Sequence, residues 1–155
     1  MSGSALTSDR TTGIQQLSQV LPALLQLMPP SAHPTFALLR LQALLITPPA
    51  SPADLQTCIS SLALAYAGAE KIHPSNHPTL AVILAEWGKT LSIEPEGVGK
   101  KDTLRRLMEA VVVLRKAFTT CEGGFGKGGG IVGKEVEGLI RGCEGEIGLL
   151  RSYAV

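Results

Sequence analysis

Apolar residues recur along this chain at spacings of three and four, and period-two alternation is nowhere sustained, so the pattern predicts helices and no sheet. Ile14, Leu17, Leu21, Leu24 and Met28 form a first stripe, with Pro22 inside it. Proline lacks an amide donor, so a kink or a restart is expected there. Pro29-Pro30 ends the segment. A second helix opens at His33-Pro34, buries Leu38, Leu41 and Leu45, and stops at Pro48-Pro49. The third has the clearest start: Ser51 can cap, Pro52 suits the first turn, and Asp54 completes a Ser-x-x-Asp pattern. Its inward stripe is Leu55, Ile59, Leu62, Tyr66 and Ala69, and Pro74 stops it.

A fourth helix runs from His77-Pro78 to about Ser92. After a loop over Ile93 to Lys101, Asp102 or Thr103 is placed to cap a fifth, with Leu104, Leu107, Met108, Val111, Leu114 and Phe118 facing in. Cys121 to Gly130 is a glycine-rich stretch. The last helix, about Val132 to Tyr153, carries Val136, Leu139, Cys143, Ile147 and Leu150 inward. Its Gly138, Gly142, Gly145 and Gly148 each cost about 1 kcal/mol against alanine. Such a helix needs tertiary packing, and a neighbour set close against its glycine side would supply it. Residues 1–12 read as a disordered lead-in, and 13–155 as one all-α domain of about six antiparallel helices.

Composition narrows this further. The chain has 155 residues, 45% of them hydrophobic but only 4% aromatic, so its core is built from Leu, Val, Ile and Ala. A formal net charge of +1 gives no overall pull towards nucleic acid or an anionic membrane. Cys58, Cys121 and Cys143 form no CxxC pair, and an odd count speaks against a disulfide framework, which suggests a reducing compartment. No apolar run reaches the roughly 18 residues of a spanning helix, and Met1 to Thr12 lacks a signal-peptide order. Cytosol or nucleus is expected.

Between His77 and Ala117 lies a helix pair of specific spacing. Small residues at Gly88 and Ala110 would let two helices approach, while Leu84, Trp87, Leu91 and Leu114 fill the seam and Ala117 continues it. That is the packing logic of a tetratricopeptide repeat, and Tyr66, Ala69 and Pro74 match the end of a preceding one. Gly88 and Ala110 are 22 positions apart, against roughly 12 in the regular repeat of about 34 residues. The expected unit is therefore tetratricopeptide-like with an enlarged loop. An Ala-rich helix ending in a His turn, His77-Pro78 opening the next, Gly88-Lys89-x-Leu91, and the helices over 104–117 and 135–150 together resemble one family domain. It is the C-terminal helical domain of the SET and MYND (SMYD-type) protein-lysine methyltransferases, over roughly residues 51–152. The resemblance implies a domain that flanks a substrate cleft and shapes access to it, with a SET domain as a possible neighbour in a parent protein. It does not carry over the chemistry. Three scattered cysteines cannot assemble a four-ligand zinc site without histidines, and Asn76-His77-Pro78 reads as a helix cap rather than a SET Asn-His segment. The chain is expected to be a helical module without the catalytic one, with no cofactor of its own.

Other motifs are weaker. Gly128-x4-Gly133-Lys134 has the letters of a phosphate-binding loop, but Glu135 stands where a metal-binding hydroxyl belongs. A strand before it is kept open only by the β-branched run Val111-Val112-Val113. Gly124-Phe125-Gly126-Lys127-Gly128-Gly129 matches GxGxxG without a βαβ context. Nucleotide binding through Gly128 to Lys134 is thus a lesser alternative. His33, His73 and His77 sit at helix boundaries, where turn and cap roles explain them. Cys58 and Cys143 fall on apolar stripes, and Cys121, at a helix end, is expected to be the exposed thiol. Lys100, Lys101, Arg105, Arg106, Arg115 and Lys116 outnumber Asp102 and Glu109 by four charges. A solvated face is the plain reading. The functional one is a docking surface for an acidic peptide, which would make the chain a stand-alone tetratricopeptide-like adaptor anchored by Lys101, Arg105, Arg106 and Lys116. Nucleic acid is disfavoured because no aromatic side chains interleave with these cations.

Overall fold

The computed structural model describes residues 3–94 and 96–153, with the side chains of residues 3–6 left aside. Among the described residues the fold is all-α with six helices: α1 (Gly3–Leu27), α2 (His33–Ile46), α3 (Pro52–Glu70), α4 (Pro78–Leu91), α5 (Lys100–Phe125) and α6 (Gly130–Ser152). Among the described residues there is no strand, and no helix is long and apolar enough to cross a membrane. Contacts divide the chain into two compact units, Met1–Ile72 and His73–Val155. Each unit has its own central helix, α2 in the first and α5 in the second.

In the first unit α1 runs unbroken through Pro22, and it already includes residues 3–12 of the expected lead-in, whose first two positions lie outside the described residues. What holds that polar stretch is distant in sequence. The Arg10 guanidinium donates to the carbonyls of Leu45 and Thr47, the latter at 3.0 Å. Carbonyls at a helix C-terminus lack intrahelical partners, and Arg10 supplies them. α2 lies antiparallel to α3: the Ser61 hydroxyl donates to Gln42 Oε1 at 2.7 Å, and Gly68 meets the Pro30-Ser31 turn. A β-carbon at Gly68 would fall 2.0 Å from the Pro30 oxygen. Ser51 caps α3 as expected, accepting from the Asp54 amide at 3.1 Å.

In the second unit α5 packs between α4 and α6. Pro78 lies beside Gly124 and Gly88 beside Leu114, so α4 and α5 run in opposite directions. Gly88 meets Leu114 across the seam, Ala110, Leu114 and Ala117 are fully buried, Leu91 is nearly so, and Trp87 is half-buried. A β-carbon at Gly88 would come within 2.5 Å of Leu114 Cγ. The connection lies close to the expected bounds, between Leu91 at the end of α4 and Lys100 at the start of α5. Residues 92–94 and 96–99 are non-helical, and part of the extra length is helix, the first turns of α5, which extend past the end of α4. α5 starts at Lys100 with Gly99 as N-cap, so Asp102 and Thr103 lie inside its first turn. α5 also continues through Gly123 and Gly124, which pack on Asn76.

Candidate functional site

The buried positions of α5 are Thr103, Leu107, Ala110, Val111, Val113, Leu114, Ala117, Thr120 and Cys121. They face α4 and α6 and leave an opposite ridge open. Along it lie Lys101, Arg105, Met108, Val112, Lys116 and Thr119, at steps of four, three, four, four and three, all exposed. Such steps keep residues on one side of an α-helix. Met108 is therefore an outward residue, not a core one, with 45% of its surface open, and Val112 has 69%. Beside Met108 a surface hollow of about 600 Å³ is lined by Lys101, Asp102, Leu104, Arg105 and Met108.

Two of the cations here form exposed ion pairs. Arg105 Nη2 stands 3.5 Å from Asp102 Oδ1, with both side chains mostly in solvent. Arg115 Nη2 meets Glu144 Oε1 of α6 at 2.6 Å. Pairs so exposed contribute about 0–1 kcal/mol and exchange readily for other partners. The Lys100 ammonium lies 5.9 Å from the Tyr153 ring centre, and Arg151 Nη2 is 3.8 Å from Met108 Sδ. Arg106 departs from its expected role. Its guanidinium turns to the 92–99 connection and donates to the Ile93 carbonyl at 2.8 Å, so it anchors that segment. Lys101, Arg105 and Lys116 remain outward.

The histidines sit at turns. His77 Nδ1 accepts from the Thr79 amide at 3.2 Å and caps α4, and its ring stacks on His73 with centres 4.1 Å apart. His33 meets Phe36 edge-on. Among the described residues no group of three or more His, Cys, Asp or Glu side chains gathers as metal ligands would. All three cysteines are buried, Cys121 included, against expectation. The reason is local: α5 runs on past Cys121, and Gly129 and Gly133 close over it. Burial pushes all three thiols up, aided at Cys58 by the Asp54 charge and at Cys143 by those of Glu146 and Glu144.

The glycine-rich segment joins two helices, since Val111 to Val113 belong to α5. Gly128, Gly129 and Gly130 have φ of 83°, 68° and 64°, values that suit residues without a β-carbon. The Gly128 amide donates to Glu122 Oε1 at 3.2 Å, so a carboxylate of the chain takes the place a phosphate oxygen would need. Lys134 points to solvent and Glu135 pairs with Lys89 at 3.0 Å. A phosphate-binding loop draws on a preceding strand, which is absent here.

Met108 and Val112 are the site residues that the sequence reading missed. Their signal was present: counted outward from Lys101 and Arg105, the next ridge positions are 108 and 112. Comparison of the chain with protein-family models, with curated proteins and with solved structures gives no match.

Proposed function

We propose that this chain is a non-catalytic helical interaction module whose docking surface is the outer ridge of α5. The observation that carries this is the exposed pairing of apolar Met108 and Val112 with the outward cations Lys101, Arg105 and Lys116. Large apolar side chains grouped at a rigid surface and rimmed by charge mark protein contact sites. The rim selects an acidic partner through steering and register. Cytosol or nucleus is the proposed setting. The tight Gly88–Leu114 approach is consistent with the resemblance to the C-terminal domain of the SET and MYND methyltransferases. In a parent protein of that kind the module would shape partner or substrate docking beside a SET domain.

Two measurements test this reading. Fluorescence anisotropy with a Glu-rich synthetic peptide should show binding that weakens with salt. The double variant Lys101→Glu/Arg105→Glu should remove that binding while helical circular dichroism is retained. Unchanged binding in the double variant sinks the docking surface. The family reading stands or falls separately, on whether the reading frame upstream encodes zinc-binding cysteine clusters and a SET Asn-His segment.

A further inference from the structure

The geometry points to an amphipathic helix with acidic ends as the partner that lies along the α5 ridge; this rests on the docking reading above. No strand exists among the described residues, so no sheet edge is offered to which an extended partner could add a strand. Recognition therefore falls to side chains, and their placement is specific. Lys101 to Thr119 advance in steps of three and four, the spacing by which one helix offers a seam to another. The ridge extends over about 27 Å, at 1.5 Å per residue. Its chemistry is ordered along that length: Lys101 and Arg105 at one end, Met108 and Val112 in the middle, Arg115 and Lys116 at the other. A matching helix carries carboxylates near both ends and apolar residues at three- and four-residue spacing between them.

The hollow beside Met108 sets the anchor. Leu104 and Met108 form its apolar lining, while Lys101, Asp102 and Arg105 complete it with charge. The hollow is open to solvent and offers Leu104 and Met108 as an apolar contact for a partner side chain. The partner's central apolar residue enters there, and a second rests on Val112. The ion pairs of Arg105 and Arg115 do not oppose this. Asp102 and Glu144 hold Arg105 and Arg115 from exposed positions, and a partner carboxylate can replace either.

The test uses two fluorescent synthetic peptides of identical composition, each rich in Ala with Glu at both ends. One places its Leu residues at alternating three- and four-residue spacing; in the other the Leu positions are scrambled. The helical-register peptide is expected to bind the full chain at least about tenfold more tightly and to gain helical circular dichroism on binding. Val112→Asp and Met108→Asp, both at exposed positions, are each expected to weaken it about tenfold while the protein's own helical signal is unchanged. Equal binding of the two peptides, still lost in Lys101→Glu/Arg105→Glu, overturns the helical partner and leaves the docking surface standing. Displacement of the peptide by a single-stranded oligonucleotide at lower concentration than by unlabelled peptide also overturns it. Absence of binding by either peptide overturns both readings.

Discussion

At the scale of single residues, two glycines carry the close approaches of the fold. Gly88 leaves room for Leu114, which is itself fully buried. Gly88→Ala should cost about 1–3 kcal/mol despite the better helix propensity of alanine. Gly68→Ala should cost more, because the obstructing atom is the Pro30 carbonyl oxygen, part of the backbone. Thermal denaturation reads both, at about 2–4 °C per kcal/mol for a chain of this size. An unchanged midpoint for Gly88→Ala would refute the close-packed seam. Gly88, Leu91, Ala110, Leu114 and Ala117 were legible in the sequence because a helix pair demands small against large at fixed spacing. Arg106 and Cys121 were not. Which carbonyl a guanidinium reaches, and how far a helix runs beyond a cysteine, are set by segments distant in the chain.

At the scale of elements, local chemistry made some boundaries readable. Ser51 and His77 each accept an amide of the helix they open, and proline follows both. The start of α5 had no such signal, since Gly99 has no side chain with which to cap and Asp102 acts from within the first turn. The polar N-terminal turns of α1 depend on Arg10 reaching α2, 35 residues away in one of its two bonds. α6 holds the clearest element-level prediction. Its glycine side was expected to meet a neighbour, yet a β-carbon at Gly138, Gly142, Gly145 or Gly148 would have nothing within 4 Å. Alanine at each should stabilise by about 0.5–1 kcal/mol, and the fourfold variant by about 2 kcal/mol or more. Chemical denaturation measures this, and a lowered midpoint would show that the glycine side is covered in solution.

At the scale of the whole molecule, six helices and their order followed from period and punctuation, whereas the division into two units did not. That division depends on which helices share contacts, and a single apolar pattern does not encode it. The three buried thiols add a pH dependence. Each is pushed up in the folded chain, so the folded state holds its protons more tightly than the unfolded one. Their contribution is fully present below about pH 8.5, the usual thiol value, and is lost as pH rises through the higher folded values. Urea midpoints should therefore fall between neutral and strongly alkaline pH, and less steeply in Cys121→Ser than in the parent. A midpoint that rises with pH would reverse this assignment.

The same burial leaves the native surface chemically quiet towards maleimides and other thiol-directed reagents. A cysteine introduced at Gly142 of α6, where the space is open, would then be the one readily labelled position on the molecule. The fold thus accepts a single dye or spin label without removal of its own cysteines. That gives partner capture on α5 a reporter that leaves the docking ridge untouched.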